Sequence, residues 1–239
     1  MPISSGMVRL EDEPDGSTIV WVGGVPSSSM RIEPDFLDFE YMRHEAAAVD
    51  AWARPERLLA LHVGAGVCTL PRYLAHRYGD SRHIAVDIDA DLPRLAREWW
   101  DLPRAPRLRI REQDGLEALT TRHDDSIDLL VRDAFAGDET PPPLCSDQWW
   151  TEARRVLRPG GLILANVGTR PGGSAHRTDA RAASDVFGAM VAIGEPAVLK
   201  GRRRGNVILA HSSGLNVDQL RRYAASAPLP TGVSTRWPA

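Results

Sequence analysis

The sequence predicts an α/β fold: a mostly parallel sheet of seven strands with helices on both faces, preceded by a small β appendage. Three observations predict it. From residue 57 onward short apolar runs alternate with helical patterns; a Pro-Gly-Gly stop at 159–161 launches a fifth run; and an Asp15-Gly16 dipeptide sits between apolar segments near the start. Strand, helix and strand in regular succession imply parallel strands joined by crossover helices, whereas Asp-Gly tolerates φ > 0 and marks a hairpin.

In chain order, residues 7–25 alternate apolar runs around Asp15-Gly16 and predict the β appendage, assigned to residues 1–35, with 26–29 as a connection. Residues 36–239 are assigned to the main domain. Phe39, Met42, Ala46, Val49 and Trp52 recur at intervals of three and four, which predicts an amphipathic helix within 36–52. Candidate strands follow at 57–63, 83–88, 107–112, 127–133 and 161–167, with a helix over about 146–157 before the last. The Gly- and Pro-rich stretch 168–173 predicts a loop, then another helix, then two strands near 197–200 and 206–211 joined by a basic hairpin tip, Lys200-Gly-Arg-Arg-Arg-Gly.

Composition narrows the function. The 239 residues are 43% hydrophobic and 26% charged, which excludes a disordered or collagenous chain. A formal charge of −3 argues against nucleic acid as a partner. Cys68 and Cys145 have no His or Cys companion at metal spacing, so no metal site is expected and both thiols are read as free in a reducing compartment. With no apolar run near the roughly 20 residues of a membrane span and no leader pattern, the expectation is a cytoplasmic protein without membrane contact.

Ligands of open α/β sheets bind at the carboxyl ends of the strands, so the residues ending each run carry the functional signal. After the first run come Gly64-Ala65-Gly66, whose glycines permit a sharp turn and close approach to a ligand. Asp87 ends the second run, 23 residues beyond Gly64, a spacing suited to a carboxylate that accepts hydrogen bonds from a ribose diol. Asp114-Gly115 follows the third; an adenine amine or the first turn of a helix are both suitable partners for that carboxylate. Asp133 ends the fourth run, either as the group that handles a reacting substrate or as a strand-end cap paired with Arg132. Thr69 occupies the place of the third glycine in Gly-x-Gly-x-x-Gly, and no P-loop is present. A ribose carboxylate without a phosphate cradle points to an adenosine lacking phosphates, such as an adenosyl sulfonium.

At FEYMRHE, VGAGVCTLPRYL, VDIDADL, QDGLEAL, DLLVRDAF and LCSDQWWTEARRVLRPGGLILAN, over about 36–167, the sequence resembles the spermidine synthase (polyamine aminopropyltransferase) family within the Rossmann-like S-adenosylmethionine-dependent methyltransferase fold. The resemblance implies that Gly64, Ala65 and Gly66 hold the donor, S-adenosylmethionine or its decarboxylated form. It further implies that Asp87, with Ile88 beside it, takes the ribose, Asp114 and Gly115 the adenine, and Asp133 the attacking amine. It also implies a homodimer and a small-molecule amine acceptor. Two carboxylates of the family pattern are replaced, by Val67 in the glycine loop and by Ala136 after Asp133, the second with Asp138 or Glu139 as a nearby substitute. Tyr41 and the 168–173 loop either wall the acceptor side or serve as a core aromatic and a plain connection. Two other functions fit the same pattern: methyl transfer from S-adenosylmethionine to a small molecule, and non-catalytic binding, with Trp99-Trp100 or Trp149-Trp150 as an interface.

Overall fold

The computed structural model describes residues 1–137 and 139–238. The chain begins with an antiparallel four-stranded sheet of β1 (Pro2–Ile3), β2 (Gly6–Asp12), β3 (Thr18–Val22) and β4 (Val25–Met30). The Asp15-Gly16 turn joins β2 to β3 as expected: Gly16 has φ +83°, and Asp15 Oδ1 accepts from the Ser17 amide at 3.1 Å and hydroxyl at 2.7 Å. Residues 26–29, expected as a connection, instead belong to β4. The second turn lies at Gly23-Gly24, where both φ angles are positive, so the apolar run 18–25 is cut into two strands.

Helix α1 (Glu40–Asp50) leads into the main sheet. There follow β5 (Leu59–Val63), α2 (Thr69–Arg77), β6 (Arg82–Asp87), α3 (Asp91–Trp99), β7 (Leu108–Glu112), α4 (Gly115–Thr120), β8 (Ile127–Arg132), α5 (Asp147–Val156) and β9 (Leu157–Thr169). The chain continues through α6 (Ala175–Phe187), β10 (Val191–Gly194), α7 (Pro196–Leu199), β11 (Gly205–His211), α8 (Val217–Ser226) and β12 (Gly232–Ser234). Strand order is β12-β10-β11-β9-β8-β5-β6-β7, with β7 to β9 parallel and β11, β10 and β12 antiparallel. The expected mostly parallel α/β sheet is present, with an eighth strand, β12, at its edge. Residues 196–199 form a helix rather than a strand, because Pro196 at its first position suits a helix start and the preceding strand has already ended at Gly194. The 200–204 tip therefore joins a helix to β11.

Side-chain alternation decides what each helix meets. Leu61, Val63, Leu130, Ile163 and Ala165 face α4, α5 and α6, whereas Ala60, Leu129, Val131, Leu162 and Leu164 face α1, α2 and α8. The same alternation sends Arg132, the last residue of β8, to the first face, and Asp133 just after it and Asn166 within β9 to the second. Trp149 and Trp150 are both fully buried at 0% exposure, so neither is available as an interface. No helix among the described residues is long and apolar enough to cross a membrane.

Candidate active site

A cleft of about 1480 Å³ opens above the carboxyl ends of β5, β6, β8 and β9, walled on one side by β3 and β4 and on the other by the 168–173 stretch, whose first two residues extend β9. Gly64, Ala65, Gly66, Asp87, Ile88, Asp114, Gly115, Tyr41 and Asp133 all line it. Asp138 lies outside the described residues.

The glycine loop is shaped by close contact and by backbone twist. Gly64 has φ +93°, and a Cβ there would fall 2.2 Å from the Asp133 carbonyl oxygen. Gly66 has φ +48°, and a Cβ there would meet nothing within 4 Å, so its face opens on the cleft. The loop closes at Cys68, a non-glycine at φ 63°, whose amide donates to Ala65 O at 2.7 Å. Its thiol is buried, which pushes its pKa up to about 12. Thr69 links the turn to the N-terminal sheet: its hydroxyl bonds Ser28 Oγ at 2.8 Å and donates to Ser29 O at 3.1 Å.

Asp87 lies beneath this loop. Its Oδ2 accepts from the amides of Ala65 at 2.9 Å and Gly66 at 3.0 Å, and its Oδ1 from Asp89 N at 2.9 Å. An ionised carboxylate has about four acceptor positions. Three are taken by backbone amides, which leaves about one open. Burial raises the Asp87 pKa, and the three amide bonds oppose that rise.

Asp114 is the N-cap of α4, accepting on Oδ1 from Leu116 N at 2.9 Å and Glu117 N at 3.0 Å. Capping leaves Oδ2 uncommitted, so the two roles foreseen for it are compatible. Gly115 is required by packing, since a Cβ would lie 2.5 Å from Val63 Cγ1.

Asp133 stands at the centre, held by two neutral donors. Tyr41 of α1 donates its hydroxyl to Oδ2 at 3.1 Å, and Asn166 of β9 donates Nδ2 to Oδ1 at 2.8 Å. Burial raises the Asp133 pKa, while these bonds pull it back. Burial and the Asp133 charge hold the Tyr41 hydroxyl well above its usual pKa, so it stays a donor. The alternative pairing with Arg132 does not occur: Arg132 is fully buried on the opposite face, bonded to Asp179 at 3.0 and 2.5 Å and to Leu144 O at 2.6 Å, with Trp149 and Trp150 rings 5.0 and 4.9 Å away.

Val67 is buried against β2–β4 residues, and Ala136 forms a bridge to Glu139, whose carboxylate pairs with Arg170 at 2.7 Å. Two residues that the sequence pattern does not mark bear on the centre: Asn166, the one polar side chain within the apolar run 162–167, which bonds Asp133, and Glu45, buried one helical turn after Tyr41 and within reach of the Asp133 charge.

This fold, with a glycine turn and acidic strand ends gathered at one cleft, defines the class: the Rossmann-like methyltransferase fold on which group transferases are built. A methyltransferase-domain family model matches residues 60–161. The structure is similar to that of a probable spermidine synthase from Corynebacterium glutamicum, with a TM-score of 0.91 and 32% identity, covering 98% of this chain and 89% of that one. The chain belongs to the spermidine synthase-like proteins of the methyltransferase-fold superfamily. A polyamine aminopropyltransferase of Neisseria meningitidis is 27% identical over 147 residues, 58% of this chain and 53% of its own. The mouse eEF1A lysine and N-terminal methyltransferase is 27% identical over 156 residues, 59% of this chain and 22% of its own. The chain thus spans from about a fifth to about half of the length of these two curated relatives.

Proposed function

We propose that the cleft binds an adenosyl sulfonium, decarboxylated S-adenosylmethionine in the first instance, and that the chain directs transfer of its aminopropyl group to a small-molecule amine. The observation that carries this is Asp133: a carboxylate at the mouth of the central strands, fixed by the neutral donors Tyr41 and Asn166 and paired with no cation among the described residues. The residues present suit such a donor. Gly66 offers an open backbone face, Asp87 one acceptor position and Asp114 a free oxygen, while exposed Ile88, at 74%, offers an apolar surface at the rim for a base.

A sulfonium carries its own activation, because displacement at its carbon releases a neutral thioether. The chain's task is alignment and proton handling. Asp133 accepts an N–H of the attacking amine, turns its lone pair toward the donor carbon and takes up the proton as the new C–N bond forms. Tyr41 and Asn166 keep both carboxylate oxygens in place through that step. Arg132, held by Asp179 on the other face, leaves this charge undiminished.

Methyl transfer from S-adenosylmethionine is the second reading, and Val67 favours it, since an apolar side chain replaces the carboxylate that the family pattern uses for the aminopropyl amine. Calorimetric titration with decarboxylated S-adenosylmethionine, S-adenosylmethionine and methylthioadenosine separates the two. Tighter binding of the decarboxylated donor supports aminopropyl transfer, tighter binding of the carboxylated one supports methyl transfer, and no binding of any of the three refutes both.

A further inference from the structure

Glu45 is the least expected residue in the molecule. It is 0% exposed, and neither side-chain oxygen has a hydrogen-bond partner among the described residues. An ionised carboxylate so placed would be costly, and even a neutral one forfeits hydrogen bonds it would make in water. Its position gives the reason to look further. Glu45 follows Tyr41 by four residues on α1, so the two share a helix face, and Tyr41 reaches Asp133 directly. Tyr41, Asp133 and Asn166 line the cleft; Glu45 stands behind them, and Asn166 Oδ1 is likewise a buried acceptor without a donor.

The other charged or titratable groups around α1 are engaged elsewhere. Arg43 donates to Leu37 O at 3.0 Å and Asp38 O at 2.9 Å. His44 bonds Tyr223 of α8 at 2.9 Å and approaches Glu40 at 3.4 Å. His62 of β5 pairs with His83 at 3.0 Å, and Arg77 of α2 and Tyr78 after it bond Asp50. No cation among these faces Glu45, and the charge that reaches it is that of Asp133.

We infer that Glu45 is a latent second carboxylate of the site: it holds a proton in the free protein and releases it when a cation occupies the cleft in front of Asp133. Before binding, Asp133 supplies a negative charge that opposes a second one nearby. A sulfonium reverses the sign of that neighbourhood, and attraction across a poorly hydrated site is strong, so the carboxyl O–H of Glu45 breaks and its proton passes to solvent. Glu45 thereby provides, from behind the wall, negative charge that Val67 and Ala136 no longer provide from within it. This rests on the donor proposed above. It adds that the site selects cationic ligands and couples their binding to proton release.

The test is titration calorimetry on the full chain near neutral pH, in two buffers of different ionisation enthalpy. The ligands are decarboxylated S-adenosylmethionine and the neutral methylthioadenosine. The sulfonium should release about one proton more from the wild type than from Glu45→Gln, and methylthioadenosine should show no such difference. Difference infrared spectra of wild-type protein labelled with ¹³C-glutamate need no variant: a protonated glutamic carboxyl band should vanish on sulfonium binding. Sulfonium binding with equal proton release in both proteins, or with the band unchanged, overturns this inference and leaves the donor reading intact. Failure of both ligands to bind overturns the two together.

Discussion

Arg132 and Asp133 are adjacent in sequence and face opposite sides of the sheet. Arg132 is enclosed by Trp149, Trp150 and Asp179, while Asp133 meets Tyr41 and Asn166. One strand end thus supplies a structural cation to the α5–α6 layer and, to the cleft, a carboxylate held by two neutral donors.

The Arg132–Asp179 pair is buried at 0% and 2% exposure. Removing one member strands the other, so Asp179→Ala should cost about 3–5 kcal/mol in chemical denaturation, also freeing the Trp150 indole N–H that Asp179 accepts at 3.0 Å. The double replacement Arg132→Met with Asp179→Leu should recover much of that loss. A double variant no more stable than Asp179→Ala would show that the pair is indispensable to packing.

Asp133→Asn preserves shape and removes the base. Single-turnover transfer should slow by roughly 10²–10⁴-fold, with donor affinity far less affected. The same change should stabilise the fold near neutral pH. A carboxyl whose folded pKa is raised contributes stability below its unfolded pKa and loses it as pH rises through the folded value, so the wild type carries that loss at pH 7 and the Asn variant does not. Thermal melts at pH 4 and pH 7 check this: the advantage of the variant should appear only at the higher pH.

Tyr41→Phe deletes a donor to the ionised form of Asp133, whose pKa must then rise further. Because the proposed transfer uses the carboxylate, the acid limb of the rate profile should move to higher pH, with the rate at the plateau reduced less than in Asp133→Asn. A limb that stays in place would assign Tyr41 to packing alone.

Gly64→Ala and Gly66→Ala should differ sharply. The first forces a Cβ against the Asp133 carbonyl and should unfold or misplace the strand ends; the second meets no atom and incurs about 1 kcal/mol for its backbone conformation. Gly66→Ala should therefore fold, with weakened donor binding because the added methyl enters the open face. Circular dichroism with calorimetry on each variant distinguishes the two outcomes.

Much of the main sheet is legible in the sequence because β5, β6, β7, β8 and β9 are apolar runs followed by helical patterns, and because the strand-end rule selects Asp87, Asp114 and Asp133. Errors fall where local chemistry misleads. Pro26 and three serines read as a connection, yet their segment pairs with β3. Residues 197–200 look apolar enough for a strand, but Pro196 starts a helix. The α8–β12 ending has no run that announces it. Asn166 and Glu45 escape for a different reason: their importance arises from strand register and helix facing, which bring residues 33 apart (Asp133 and Asn166) together and place Glu45 behind Tyr41.

Thr69 fills the position where a dinucleotide loop keeps its last glycine, and its hydroxyl fastens Ser28 and Ser29 of β4. The glycine turn and the fastening of the N-terminal sheet are therefore one piece of chain. Widening that turn to admit a pyrophosphate would unfasten β4 and strip the cover from Ala65, Val67 and Cys68, which pack with Val8, Val20 and Met30. The clasp that keeps the cover in place also limits the size of what the turn admits.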